Sequence, residues 1–278
     1  MKSLSLILLL NLFLAISANS QAQQPPADTA TNTATATAPT PGAPLTQDQL
    51  VAEIMQLGGV VKTEGDAPAD VLDFKAWAQR NATDAPTGAV VGISFTYTHK
   101  HTQSPAGKTI PPYDVTDDMV AQFAKLPKLT HLEMSMCPQV TDVGVAHLKG
   151  MTQLQFLSLA GTKVTDAGML NLAGLTNLKF LRLGSTHITN PSLVNLEGMK
   201  GLESLWINET VIGDEGMTHL KGLTQLQAIT MWGNNVGDAG LEQLKGLTSL
   251  QSVRLSGHES RPEIQAFSQA LPKCRVWH

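Results

Sequence analysis

Residues 154–177 read LQFLSLAGTKVTDAGMLNLAGLTN, and residues 178–201 repeat that pattern as LKFLRLGSTHITNPSLVNLEGMKG. Each copy opens with a hexamer whose first, fourth and sixth positions are apolar. The hexamer occurs six times, starting at Leu129, Leu154, Leu178, Leu202, Leu226 and Leu250. The first step is 25 residues long and every later step is 24. A fixed period in this range is typical of a solenoid, whose units pack only on their neighbours.

Two further positions keep the same period. One is always glycine, at Gly150, Gly174, Gly198, Gly222 and Gly246. The other is glycine in all copies but one, at Gly144, Gly168, Ser192, Gly216 and Gly240. Three markers in phase predict one elongated α/β body, with parallel strands on one side and short helices on the other.

Within a repeat, Leu154, Leu157 and Leu159 are predicted to point inward from the strand. We expect Asp166 to cap a short helix and Gly174 to end it. A polar column follows the strands, and we expect its side chains to bond the backbone of the next turn because buried main-chain groups need partners. The column is Cys137, Thr162, Thr186, Thr210 and Asn234.

Residues 174–199 and their sibling repeats resemble the leucine-rich repeat family. The pattern V-T-D-x-G-(x)5-L-x-G-L/M-x-x-L is similar to the cysteine-containing subtype of F-box adaptor proteins. It is more similar still to the plain repeats of exported bacterial proteins, notably those of planctomycetes, as are LGGVVK at 57–62 and GAVVGISF at 88–95. The resemblance covers the chain from about Gln49 onward. It implies a solenoid with a concave parallel sheet and convex helices, and it says little about function.

The first 22 residues resemble a secretory signal peptide. Met1 and Lys2 precede an apolar run from Leu4 to Ile16, and small residues follow. That run is shorter than the ~20 residues a spanning helix needs, so an uncleaved anchor is the alternative and no membrane span is expected after cleavage. We therefore expect an exported protein, periplasmic, envelope-bound or extracellular.

Four further segments are predicted. Residues 23–46 are rich in Ala, Thr and Pro and are expected to be disordered. Residues 47–88 form an N-terminal cap with a helix and a short strand. Residues 89–278 form the repeat domain, with an insertion at 96–112. Residues 259–278 form a C-terminal cap with a helix and a closing strand.

The net charge bears on the type of partner, and the cysteine positions bear on disulfide bonding. The net charge of -4 argues against nucleic-acid binding. The two cysteines, Cys137 and Cys274, are about six strand steps, roughly 25–30 Å, apart, so two free thiols are predicted. We expect a monomer without a cofactor.

No catalytic or metal site is predicted. The chain lacks the common nucleophile, phosphate-binding and zinc motifs. Capping explains the periodic carboxylates, and a repeat spreads like groups along a line instead of converging them in a cleft. A rim metal site at His99 and His101, with His131 from the next unit, is the alternative.

The candidate binding site is the concave sheet face. Strand residues between the inward leucines are predicted to be displayed there, and clustered aromatics and arginines are typical of interfaces. The predicted residues are His131, Glu133, Phe156, Phe180, Arg182, Trp206, Asn208, Trp232 and Arg254. The alternative is that Phe156 and Phe180 merely stack, covered by the insertion. We hypothesise a non-catalytic protein that binds a protein or peptide, or else a structural envelope module that contacts polysaccharide.

Overall fold

The computed structural model describes residues 45–64, 88–95, 114–255 and 262–277. The predicted signal peptide, nearly all of the predicted linker and the insertion at 96–112 lie outside these residues. Within the described ranges, no helix is long and apolar enough to span a membrane.

The described strands form one sheet in which spatial order equals chain order. Strands β1 and β2 pair antiparallel, and all later neighbours pair parallel. The predicted stack of parallel strands is therefore confirmed. The strands are β1 Val60–Thr63, β2 Val90–Ser94, β3 His131–Glu133, β4 Phe156–Ser158, β5 Phe180–Arg182, β6 Ser204–Trp206, β7 Ala228–Thr230, β8 Ser252–Arg254 and β9 Arg275–Trp277.

The 25-residue step does not disturb the register. His131 pairs with Phe156 just as Phe156 pairs with Phe180. The extra residue lies in the turn after β3, where the segment 137–141 takes the place of 162–165. Because this extra residue falls outside the strand, every inward-facing strand residue still meets its counterpart in the next repeat.

Short helices close the other side of the core. They are α1 Gln47–Gln56, α2 Asp117–Phe123, α3 Asp142–Ala146, α4 Asp166–Met169, α5 Asp214–Met217, α6 Asp238–Leu244 and α7 Pro262–Ala270, with 3-10 helices at Asn190–Leu196 and Thr218–Leu220. The central strand leucines Leu157, Leu181 and Leu205 are fully buried beneath them. Each such side chain contributes about 2 kcal/mol of burial free energy. Helix α1 and strand β1 lie where the N-terminal cap was expected, and α7 and β9 lie where the C-terminal cap was.

The aspartates that open the helices link repeats instead of capping helices, so the predicted role of Asp166 is wrong. Thr165 is the N-cap and accepts a hydrogen bond from the Ala167 amide. Asp166 is the first helical residue. It accepts from the amide and the hydroxyl of Thr189 in the next repeat, at 2.7 and 2.5 Å. Asp117, Asp142 and Asp214 likewise accept a backbone amide of the following repeat.

This link explains why one periodic position is glycine in every repeat except the one with Ser192. A Cβ atom at Gly168 would lie 2.4 Å from Asp142 Oδ1, and one at Gly144 would lie 2.3 Å from Asp117 Oδ1. Glycine therefore leaves room for the carboxylate of the preceding repeat. Ser192 stands at the same position and donates its hydroxyl to Asp166 instead.

Two smaller predictions also fail. Helix α4 ends at Met169, and Gly174 does not have the left-handed φ of a helix-ending glycine.

The polar column mostly bonds within its own turn: Thr162 donates to the Leu159 carbonyl at 2.6 Å and Thr186 to the Leu183 carbonyl at 2.6 Å. Asn234 is the exception, since its amide donates to the Ile207 carbonyl of the preceding repeat at 2.9 Å.

The two cysteines follow the prediction. Cys137 and Cys274 are both free and buried. Cys137 follows β3 and Cys274 precedes β9, so six strand steps separate them, as the repeat count required.

Candidate functional site

The face of the sheet turned away from the helices is called the strand face here. It carries the first and third residue of each three-residue strand and the side chain two positions further on. The paired register aligns these residues into rows that cross the sheet. One row runs from Glu133 through Ser158, Arg182, Trp206, Thr230 and Arg254 to Trp277.

The half of the strand face that spans β2–β5, called the N-terminal half, contains a buried carboxylate. Glu133 is only 3% exposed. It accepts hydrogen bonds from the hydroxyls of Ser94 at 3.1 Å and Ser135 at 3.3 Å. Its Oε1 lies 3.5 Å from an Arg182 guanidinium nitrogen. The charge of Glu133 is therefore satisfied inside the protein.

Beside this carboxylate lies a stack of three rings. His131 stacks on Phe156, and Phe156 stacks on Phe180, each pair with ring centroids 6.2 Å apart. The Nδ1 atom of His131 lies 2.7 Å from the hydroxyl of Thr130. Burial, aided by the nearby charge of Lys62, lowers the pKa of His131 to about 4. His131 is therefore neutral at physiological pH and acts as a third flat ring.

Three of the predicted binding residues are consequently not displayed. His131 is 8% exposed, and Glu133 and Phe156 are each 3% exposed. The prediction assumed that every strand residue facing away from the core is accessible, but stacking and hydrogen bonding between neighbouring strands bury these three. The alternative that Phe156 and Phe180 stack on each other is confirmed. Cover by residues 96–112 lies outside the described residues.

Arg182 connects the two halves of the strand face. Its guanidinium carbon lies 5.3 Å from the Phe156 ring centroid and 4.2 Å from that of Trp206. Burial lowers the pKa of Arg182, while the Glu133 carboxylate opposes that shift. Arginine nonetheless stays charged in proteins, so this side chain holds a cation against both rings.

The half that spans β6–β9, called the C-terminal half, is open. Trp206 is 38% exposed and Trp277 is 49% exposed, and Arg254 between them in the row is also exposed. Trp232 and Asn208 are partly exposed in the turns that follow their strands. Sequence reasoning missed Trp277, although continuing the register from the closing strand would have placed it next to Arg254.

The charge of the C-terminal half is positive. Its described strand-face residues include Arg254 and Arg275 but no carboxylate. Within the part of the chain that the structure describes, neither arginine forms an ion pair. Glu209, in the turn after β6, accepts a hydrogen bond from Ser185 at 2.6 Å. The half therefore combines exposed indole rings with two available cations.

Comparison with known proteins agrees with this architecture. Residues 125–148 match the family model described as "Leucine Rich repeat". The fold is a leucine-rich repeat solenoid. No curated protein matches the sequence significantly.

Among solved structures, the chain is similar to internalin C2 of Listeria monocytogenes, with 27% identity over 49% of this chain and 56% of that one, at a TM-score of 0.43. A second internalin from that organism gives 27% identity, 48% and 36% coverage and a TM-score of 0.43. A leucine-rich repeat protein of Leptospira interrogans gives 21% identity, 57% and 39% coverage and a TM-score of 0.42. The chain thus spans less than two thirds of each of these proteins.

The alternative metal site combines His99 and His101 with His131. Among the residues that the structure describes, no three His, Cys, Asp or Glu side chains cluster as metal ligands would. His99 and His101 lie outside those residues. The described member of the proposed set, His131, is buried in the ring stack.

Proposed function

We propose that this leucine-rich repeat protein binds a protein or peptide partner on its strand face, and that the C-terminal half is where the partner docks. The docking residues are Trp206, Asn208, Trp232 and Arg254 from the sequence-based prediction, with Trp277 added. Phe180 and Arg182, also predicted, border them on β5. His131, Glu133 and Phe156 are buried on the neighbouring strands, where Glu133 and Phe156 contact Arg182.

One observation carries the proposal. Trp206 and Trp277 are large apolar side chains that stay exposed on a rigid sheet, and Arg254 stands between them. Exposed apolar clusters of this kind mark interaction sites, and Trp and Arg are the residues that most often dominate binding energy. The scaffold offers them at fixed spacing, so little ordering entropy is lost on binding.

The function proposed is binding without catalysis and without a cofactor. Asp142, Asp166 and Asp214 each accept hydrogen bonds from the next repeat, which gives the periodic carboxylates a structural role. The buried His131 has its Nδ1 atom against Thr130 and lies in a ring stack. Neither set of groups converges on a cleft in the way that catalysis requires.

Polysaccharide contact by an envelope-associated module is the second candidate. Exposed indole rings suit the apolar faces of sugars as well as they suit protein side chains, so Trp206, Trp232 and Trp277 favour it too. A glycan array probed with the purified chain separates the two candidates.

The decisive experiment is affinity capture with the chain from residue 23 onward. The Trp206→Ala/Trp232→Ala variant should lose the partner while its circular dichroism and melting temperature stay close to those of the parent. A double variant outside the strand face, Leu170→Ala/Val211→Ala, removes two exposed apolar residues elsewhere and should retain the partner. Capture that persists in the tryptophan variant contradicts the proposal.

We further propose that the protein is exported and acts as a monomer. The signal-like residues 1–22 and the likeness of the repeats to exported bacterial proteins support export, and the likeness to the F-box-type subtype is confined to the repeat pattern. N-terminal sequencing of the protein isolated from its native cells should find a start after about residue 20. A retained Met1 would contradict export by cleavage.

A further inference from the structure

We propose that the partner segment is an acidic, extended peptide, which lies across β6–β9 with a carboxylate at Arg254 and Arg275 and an apolar side chain against Trp206 or Trp277. This inference rests on the proposed function and names the chemistry of the partner.

The charge of the surface points to a carboxylate. The whole chain has a net charge of -4, yet the described strand-face residues of β6–β9 carry two positive charges and no negative one. Arg182, by contrast, has its countercharge in Glu133 within the protein. Arg254 and Arg275 come from adjacent strands, so one carboxylate can be reached by both guanidinium groups.

The contacts of Trp206 favour a peptide over a sugar at this ring. The guanidinium of Arg182 lies 4.2 Å from the Trp206 ring centroid, which covers one face of the indole. The Trp206 Nε1 atom also donates to the Ser204 hydroxyl at 3.2 Å. A sugar ring needs an open indole face and free polar partners beside it. An aliphatic or aromatic side chain needs only the exposed edge and remaining face.

The spacing of the row predicts the spacing of the motif. Trp206 and Arg254 stand on strands two steps apart, or about 10 Å at the usual inter-strand distance. An extended peptide covers that length in about three residues. We therefore expect an apolar residue and an acidic residue two to four positions apart in the bound segment.

A random peptide display library selected on the purified chain tests this inference. Selected peptides should be enriched in Asp or Glu at that distance from an aromatic or aliphatic residue. Synthetic versions of them should bind about tenfold or more weakly to the Arg254→Gln/Arg275→Gln variant, because each lost charge-assisted hydrogen bond costs about a factor of ten. Binding should also weaken as salt is raised from 50 to about 500 mM.

The matched control is Lys149→Gln/Lys221→Gln, which removes two exposed positive charges outside the strand face and should leave binding unchanged. Binders without excess carboxylate, or binders indifferent to the arginine variant, overturn the acidic peptide while leaving strand-face capture intact if they still need Trp206. Binders indifferent to Trp206→Ala/Trp232→Ala, or no binders at all, overturn both proposals. Selective binding of a neutral glycan in place of peptides overturns both as well.

Discussion

The two halves of the strand face are built from the same repeat, but the side chains of the N-terminal half are largely buried and those of the C-terminal half are open to solvent. Between β2 and β5, Glu133 and the ring stack of His131, Phe156 and Phe180 are satisfied by neighbouring strands. Between β6 and β9, the small residues Ser204 and Ala228 continue the row of His131, Phe156 and Phe180, so the ring stack ends at β5. Trp206, Arg254 and Trp277 stay exposed there.

The helix side shows the same difference. In the N-terminal half, Asp117, Asp142 and Asp166 each accept two hydrogen bonds from a threonine of the next repeat, one from its amide and one from its hydroxyl. From the β5 repeat onward the link is smaller, since Asn190 and Asp214 accept only the amide of a glycine in the next repeat. The hydrogen-bonded links described between repeats are therefore richer near the N-terminal end of the stack than near its C-terminal end.

The largest expected contrast is in thiol reactivity. Burial, aided by the Glu133 charge, raises the pKa of Cys137 to about 12, and burial also raises the pKa of Cys274. At pH 8 Cys137 should hold about a thousandfold less thiolate than an ordinary cysteine, so alkylation should reach Cys274 first. Peptide mass mapping over time, with Cys274→Ser as the assignment control, measures this. Equal alkylation rates for the two thiols would contradict the stronger effect of burial at Cys137.

Replacing Glu133 by alanine should destabilise the protein by about 3 kcal/mol, because it leaves the half-buried Arg182 and two hydroxyls without their acceptor. Urea unfolding followed by circular dichroism gives the value. The control Glu242→Ala removes a carboxylate from an exposed pair with Lys245 and should change the free energy of unfolding little. Similar losses for both variants would show that Glu133 is in effect solvated.

Replacing Asp166 by alanine should cost about 2 kcal/mol at neutral pH, since Thr189 and Ser192 both lose their acceptor. Burial raises the pKa of Asp166, but the bonds from Ser192 and Thr189 outweigh it, so the pKa lies below its usual range. A depressed folded-state pKa stabilises above the unfolded value of about 3.9 and loses that contribution as pH falls through the folded value.

The difference between Asp166→Ala and the parent should therefore stay constant above about pH 5 and shrink below about pH 4. Denaturant unfolding at several pH values measures it. Asp118→Ala, an exposed aspartate in the first turn of α2, is the control and should show no such trend. A difference that grows on acidification would mean that the link does not depend on the ionised carboxylate.

The smallest expected effect is a gain. Gly237 has φ -108° and ψ -156°, close to the -119° and -175° of Thr165, and it lacks the threonine's cap. Gly237→Thr should stabilise the protein by about 1 kcal/mol, because the new hydroxyl can accept from the α6 amides and donate to Asp214. Thermal melting measures the gain. If Gly237→Ala stabilises equally, the gain comes from the unfolded chain and the two-bond link is not its cause.

The 24-residue period made the strands, their register and the core predictable from the sequence. The hexamer leucines at Leu157 and Leu181 predicted strands, register and core, because each repeat must bury the same face against the next. The pattern V-T-D also predicted a role at helix starts, but it named the wrong partner for Asp166. A side chain that bonds 23 residues away becomes visible only when the register between helices is known.

The amino-acid sequence alone determined the solenoid, its strand order, the two free thiols and the set of residues that face away from the core. Only the tertiary structure decided which of those residues stay accessible. Accessibility depends on what a neighbour's side chain does, and Arg182 reaches back toward Glu133 and Phe156 while it leans on Trp206. A period records which face a residue occupies, whereas burial follows from the size and direction of side chains on the adjoining strands.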